Sequence, residues 1–341
     1  MISRDPETSN TEEGFRPETI RPARHKVGDL LRGDHRVVAA HRGHFGVVYI
    51  CRQKLPGGKA LYKAVKTFRN AGDRFGRALF DRELTNWVQL GPHPNVVQAK
   101  DADTVRNFLV LEFVPGPNLR DVCARHPIHP RHFLKWAREI AAGLQFLHEE
   151  NEFVHHDLRP ANVLVDTKHR LRAKISDLGI GKPYNPQSPT HTVIGTFNFM
   201  APEVHDGKTD YRSDIFSLGA SLFRLLTGRY AVKLTTKDLT GVASPEQYVP
   251  VPREVVEVIE VILKCLQVEP EKRYQRVDEF LAALEPIEEW AVGESAFAHC
   301  DAHDYSHFVT SHRPTCPFCD YEADFERQEQ ELKRVMEREG Q

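Results

Sequence analysis

From about residue 27 to residue 114 the apolar positions fall into short runs rich in β-branched side chains. These are HRVVAA at 35–40, GVVYICRQ at 46–53, ALYKAVKTF at 60–68, NVVQAKDA at 95–102 and NFLVLEFV at 107–114. Runs of that length and composition predict five antiparallel strands. One stretch breaks the series. In DRFGRALFDRELTNWVQLG (73–91), Phe75, Leu79, Phe80, Leu84, Trp87 and Leu90 approximate one helical face, which Gly91 and Pro92 bring to an end. The first unit is therefore expected to be a small sheet with one helix.

After Pro115 the apolar period lengthens to that of helices, in RHFLKWAREIAAGLQFLHEE (131–150), SDIFSLGASLFRLLTG (213–228), REVVEVIEVILKCLQV (253–268) and VDEFLAALEPIEEW (277–290). The second unit is expected to be mostly helical. Between its helices lie FVHHDLRPANVLVD (153–166), LRAKISDLGIGKPY (171–184) and a loop rich in Pro, Thr and Ser that runs to about 199. Such loops on a rigid scaffold are where function concentrates. At the end of the chain, DFERQEQELKRVMEREG (324–340) carries opposite charges at i,i+4 and a sparse apolar stripe, which predicts a solvated terminal helix.

Composition narrows the classes. The 341 residues are 40% hydrophobic and 28% charged, enough to bury a core and incompatible with disorder throughout. With 46 Lys+Arg against 48 Asp+Glu, net charge gives no reason to expect nucleic acid as a partner. No apolar run approaches the roughly eighteen residues of a membrane span. The opening MISRDPETSN lacks the apolar core of a signal peptide, so a cytoplasmic protein with reduced thiols is expected. Residues 1–26 read as a disordered leader. Of the cysteines, Cys51, Cys123 and Cys265 are scattered, whereas Cys300, Cys316 and Cys319 sit together.

Candidate chemistry begins at HRGHFGVVY (41–49), where Gly43 and Gly46 would let backbone N–H groups approach phosphate oxygens, although a plain hairpin turn needs glycines too. Lys66, flanked by Ala64 and Val65, needs an anionic partner, and Glu83 on the predicted helix is the evident one. A snorkelling Lys and a solvated Glu are the plainer alternative. HHDLRPAN (155–162) then supplies Asp157 and, five residues on, Asn162; SDLG (176–179) supplies Asp177. Asp157 can accept a hydroxyl proton, and Asn162 and Asp177 offer the hard oxygens that Mg²⁺ prefers. The set suits phosphoryl transfer.

These motifs, in this order over roughly residues 27–286, resemble the eukaryotic-type (Hanks-type) serine/threonine protein kinase family, with a VGDLL lead-in closer in style to bacterial members. The resemblance implies an α+β, bilobal protein-kinase fold. Residues 27–114 would form the N-lobe, a small five-stranded antiparallel sheet plus one helix, and 115–286 the larger, mostly helical C-lobe. It implies ATP contacts at Gly43, Gly46, Val48, Ala64 and Lys66, with Leu111 as gatekeeper and Glu112, Phe113 and Val114 as the hinge. Lys66 would pair with Glu83, Asp157 would be the catalytic base, Arg159 would stand where a Lys usually touches the γ-phosphate, and Asn162 and Asp177 would hold Mg²⁺. Met200 to Glu203 resembles the end of the activation segment, Asp214 the residue that braces the catalytic loop, and Arg273 the partner of Glu203.

Small-molecule phosphotransferases of the aminoglycoside type share the Asp…Asn and later Asp but lack the GT…APE segment, so protein substrates are favoured. Thr196 matches the Thr of Ser/Thr kinases, while Arg159 points weakly toward tyrosine kinases. The departures from the pattern are His41 for the first loop glycine, Leu178 in a DLG, and His156 before the catalytic Asp, where an Arg usually gathers an activation-loop phosphate. His is mostly neutral near pH 7, so activity is expected to depend less on loop phosphorylation than where an Arg stands there, with Ser188, Thr190 and Thr192 as autophosphorylation candidates. The alternative function is a pseudokinase acting as a nucleotide-binding scaffold, which the presence of Lys66, Asp157, Asn162 and Asp177 disfavours.

The segment 287–323 falls outside the resemblance. Cys300-x₂-His303 and Cys316-x₂-Cys319, twelve residues apart, have the spacing of a structural Zn²⁺ site, with His312 competing as fourth ligand. The alternative is a helix with His299, His303 and His307 along one face and idle thiols. A charged terminal helix, 324–341, follows.

Overall fold

The computed structural model describes residues 25–33, 35–42, 46–68, 81, 84–85, 87, 90–124, 128–178, 182–183, 198–231, 253–289, 297–308 and 315–339. The expected leader falls, apart from its last two residues, outside them.

The first lobe is a six-stranded antiparallel sheet in the order β1-β2-β3-β4-β6-β5. Its strands are β1 (Leu30–Arg32), β2 (His35–Arg42), β3 (Gly46–Lys54), β4 (Ala60–Phe68), β5 (Ala99–Asp103) and β6 (Phe108–Glu112). Five strands were expected, so the sheet corrects that number. β1 is too short to show a period of two, and it exists by pairing Leu30 with Arg36. The fourth predicted strand also moves. Val96 and Val97 are buried, but Val96 bridges to Ile175 of the second lobe, and the sheet strand begins at Ala99.

The second lobe contains α1 (Leu119–Cys123), α2 (Pro130–Gln145), α3 (Tyr211–Thr227), α4 (Arg253–Cys265) and α5 (Val277–Leu284). It also holds the two-stranded pairs β7 (Phe153–Val154) with β10 (Lys182–Pro183), and β8 (Val163–Asp166) with β9 (Arg172–Ile175). α2 starts on Pro130, with His129 capping the Arg131 N–H, and its apolar face buries Phe133, Trp136, Ile140 and Leu144. α3 opens on a reciprocal Asp210/Ser213 capping box and closes on Gly228, whose φ of 71° only glycine adopts without strain.

The C-terminal segment is a hairpin, β11 (Phe297–Cys300) and β12 (Tyr305–Phe308), followed by α6 (Pro317–Glu339). A helix through His299 to His307 is therefore replaced by strands. α6 begins inside the expected metal segment, and Leu332 on it is buried, so the expectation of a solvated terminal helix is corrected. The hairpin docks on α2: Tyr305 is buried against His132 and Trp136, and Phe318 meets Tyr305 edge-on at 4.9 Å. Tyr305, Cys316 and Phe318 thus join the core of the second lobe. Among the described residues no helix is long and apolar enough to cross a membrane.

Candidate functional site

The site lies where β4 of the first lobe faces the β8–β9 hairpin of the second. Sheet register places Lys66 opposite Val48 and Leu109, in a largely apolar strand, and its ammonium is buried. Nζ donates to the Asp177 carboxylate at 2.6 Å. Glu83, its expected partner, lies outside the described residues, as do Gly43, Thr196, Ser188, Thr190 and Thr192. Gly46 is described, and its requirement is steric: a Cβ there would stand 1.8 Å from the Thr67 carbonyl oxygen.

The β8–β9 hairpin carries Asn162 and Asp177 at adjacent ends, because Val163 pairs with Ile175. The Ser176 N–H donates to the Asn162 carbonyl at 2.8 Å and its hydroxyl to the same oxygen at 3.0 Å. Asn162 Nδ2 donates to the Asp157 carbonyl at 2.8 Å and to Asp157 Oδ2 at 2.9 Å. The amide nitrogen is thereby committed to Asp157. Arg159 Nε stands 3.4 Å from the same Asp157 oxygen. Burial raises the Asp157 carboxyl above the usual range; Arg159 opposes the rise most, while nearby Asp177 adds to it.

The backbone of this loop is held from below. Asp214, in the first turn of α3 and fully buried, accepts the N–H of His155 at 2.6 Å, the N–H of His156 at 2.9 Å and a hydrogen bond from His148 at 2.9 Å. His156 takes a φ of 65°, a left-handed conformation that these bonds fix. His155 Nδ1 accepts the Asp157 N–H, and Nε2 meets the Ser176 carbonyl, so one ring ties the Asp157 loop to the Asp177 loop. His148 and His155 were missed by sequence reasoning; the only signal was the adjacent pair His155-His156. Arg273, fully buried, makes a bidentate pair with Glu203 at 2.7 Å and donates to the carbonyls of Gln267, Val268 and Arg212. At the lobe junction Glu112 accepts from Lys174 and from the Gln98 N–H, an anchor not foreseen. Val48, Ala64, Leu111, Phe113 and Val114 are all described, with Ala64, Leu111 and Val114 buried.

Away from this mouth, Cys300, His303, Cys316 and Cys319 bring their ligand atoms within 4.8 Å of one another. His303 Nδ1 is 3.5 Å from Cys300 Sγ, 3.8 Å from Cys316 Sγ and 3.5 Å from Cys319 Sγ, and the Cys300 and Cys319 sulfurs are 3.5 Å apart. Tetrahedral ligands about 2.3 Å (sulfur) and 2.0–2.1 Å (nitrogen) from zinc stand about 3.5–3.8 Å apart, so the cluster fits that ion. His303 Nε2 faces Glu322 at 3.1 Å, which orients the ring for coordination through Nδ1. Glu322 was not anticipated; its place three residues after Cys319 on α6 was the available signal. All the cysteines are free of disulfides.

The sequence profile described as "Protein kinase domain" matches residues 40–283. The chain is 29% identical over 272 residues to the serine/threonine-protein kinase PrkC of Bacillus subtilis, covering 76% of this chain and 41% of that protein. It is 31% identical over 270 residues to serine/threonine-protein kinase A of Synechocystis, covering 72% and 51%. To the serine/threonine-protein kinase PknB of Mycolicibacterium smegmatis it is 32% identical over 234 residues, covering 62% and 36%. The chain thus matches about half or less of the length of these relatives.

Proposed function

Because the chain belongs to the protein kinase domain family, we propose that it transfers the γ-phosphate of Mg²⁺-ATP to Ser or Thr hydroxyls of protein substrates, itself included. The observation that carries the reading is the meeting of Lys66, Asp157, Asn162 and Asp177 at one mouth, linked by the Lys66–Asp177 and Asn162–Asp157 bonds. The relatives' names supply the Ser/Thr class.

In this reading Gly46, Val48, Ala64 and the Leu111–Val114 segment hold the nucleotide, with residues 27–114 and 115–286 as the two lobes. Lys66 offers its ammonium to the phosphates. Asn162 and Asp177 present hard oxygens suited to Mg²⁺, which when bound neutralises charge on the transferring phosphoryl group. Asp157 accepts the hydroxyl proton, and its raised carboxyl suits a base working near neutral pH. Arg159 lends positive charge beside that base. Most of the catalytic effect is orientation, supplied by Asp214 and His155 through the loop backbone. The pseudokinase alternative finds no support in these residues.

The decisive experiment is radiolabelled γ-phosphate transfer by the purified chain and by Asp157→Asn. A loss of about 10²–10⁴-fold in kcat with nucleotide binding retained is expected; equal transfer by both would refute the reading.

We also propose that the Cys/His cluster holds a structural Zn²⁺, in the cytoplasmic setting that keeps its thiols reduced. Four protein ligands leave no open coordination position, so its role is to fold a segment with little apolar core. Elemental analysis is expected to give one zinc per chain, lost in Cys316→Ser. A chain purified in zinc-containing medium with no bound metal would remove this assignment.

A further inference from the structure

α6 does not stop at the cluster. It leaves Cys316 and Cys319 on the second lobe and passes along the lobe junction onto the first. At about 1.5 Å per residue, its 23 residues make a rod roughly 35 Å long, the scale of a whole domain. Each turn meets a different part of the catalytic unit. The Tyr321 hydroxyl lies beside the backbone of Gly116, just after the hinge. Phe325 stacks on Phe113 of the hinge, with ring centroids 5.3 Å apart and planes at 24°, and takes the edge of Tyr62 on β4, also at 5.3 Å. Tyr62 and Phe113 themselves stand 5.7 Å apart, so three elements close on one aromatic triangle.

One turn further, Glu329 lies beside the Tyr62 hydroxyl and faces Arg52 of β3 at 3.8 Å. Arg52 Nε and Glu329 Oε1 are themselves out of reach of solvent, although the two side chains stay partly exposed and these two atoms make no hydrogen bond. Beyond the buried Leu332, Val335 packs on Gly28 so closely that an added Cβ would come within 2.5 Å of its Cγ1.

The partners of Phe325 are not incidental. Tyr62 lies on the strand that carries Ala64 and Lys66, and Phe113 lies between Glu112 and Val114 in the segment read as the adenine hinge. A side chain that fixes the distance between them acts on the nucleotide site from behind.

We propose that α6 is an interlobe strut: with its foot held by Cys300, His303, Cys316 and Cys319, Phe325 positions the hinge at Phe113 against β4 at Tyr62, so that metal binding at the cluster and nucleotide binding between the lobes are coupled. The inference rests on the kinase and zinc readings above. Phe325 is a positioning residue, acting through Phe113 and Tyr62 and touching neither nucleotide nor substrate. Coupling is reciprocal: bound nucleotide should also tighten retention of the metal.

The test uses the full chain, with calorimetric affinity for a non-hydrolysable ATP analogue and amide exchange across residues 107–114 as readouts. Stripping the metal with a chelator is expected to weaken nucleotide binding about tenfold and to speed hinge exchange, both restored by Zn²⁺. Phe325→Ala, with its zinc content intact, should show a comparable loss, seen as a raised KM for ATP with kcat little changed. Phe325→Tyr, which keeps the stacking ring, should restore affinity. Stripping metal from Phe325→Ala should add little further loss, because both changes cut the same linkage.

Wild-type affinity in zinc-loaded Phe325→Ala overturns the strut. Unchanged affinity and exchange after metal removal overturn the coupling. Should Phe325→Ala fail to fold, Phe325→Leu keeps the volume, loses the stack and is read in the same way. Because binding is measured directly, a chain that binds ATP through this strut yet transfers no phosphate would defeat the kinase reading and leave the inference standing.

Discussion

Asp157 sits in opposed fields, and the balance sets the pH at which its carboxyl would be ionised for the proposed role of base. Burial raises its carboxyl and Asp177 raises it further, while Arg159, His155 and the Asn162 hydrogen bond pull it down. A raised carboxyl stays protonated to higher pH, so the base form, and activity with it, is gained as pH rises through that value. Arg159 is the largest of the lowering influences. Arg159→Met should therefore move the acid limb of kcat/KM to higher pH, and Arg159→Lys, which keeps the charge, should move it less. An acid limb identical in wild type and Arg159→Met would show that Asp157 does not control it. The spacing of Asp157, Asn162 and Asp177 made this cluster legible in the sequence, because the chemistry needs those residue types at close chain positions. The Lys66–Asp177 contact was not legible, since 111 residues separate the two and only the closure of two lobes brings them together.

The N-terminal turn of α3 shows how one element supports another. Asp214 is fully buried, which by itself would raise its carboxyl; the His148 hydrogen bond, together with the neighbouring His148, His156 and His155, outweighs burial and holds it below the usual range. The sign of the linkage follows. A carboxyl depressed in the folded state stabilises the fold above its unfolded value near pH 4, and that contribution is lost as pH falls through the lower folded value. Asp214→Ala leaves two buried N–H groups and His148 without their acceptor, at a cost of about 3–5 kcal/mol. Urea unfolding at pH 7 and in acid should show that the penalty shrinks as pH drops; a pH-independent penalty would contradict the assignment. At this scale the capping residues and helix stripes were readable, and α2 and α3 lie close to where periodicity put them. β1 was not, because a three-residue strand carries no period. The NVVQ run read as strand from its β-branched residues, yet Asn95 and Val97 exchange backbone hydrogen bonds with Ile175 in the other lobe, and the run reaches the sheet at Gln98, which bonds Glu112.

α6 touches both lobes, and its own composition gives little hint of it. Between residues 317 and 339, Phe318, Tyr321, Phe325, Leu332 and Val335 form a thin stripe among charges, and a thin stripe alone suggests solvent. What the pattern cannot carry is the shape of the distant surface that receives it: Tyr305 on one lobe, Phe113 at the junction, Tyr62 and Gly28 on the other. Leu332 lies between Glu329 and Val335, whose neighbours Arg52, Tyr62 and Gly28 all belong to the first lobe, and it is buried. Truncating such a leucine costs about 2–5 kcal/mol. Because this part of α6 braces the sheet, the cost should fall unevenly across the molecule. In Leu332→Ala, amide exchange along β2 and β3 should accelerate, while α2, which meets the C-terminal segment at Tyr305, itself packed on Phe318 about four turns from Leu332, should exchange as in wild type. Equal acceleration in both lobes would mean that the chain unfolds as one unit regardless of the brace. No acceleration would mean that the first lobe stands without it.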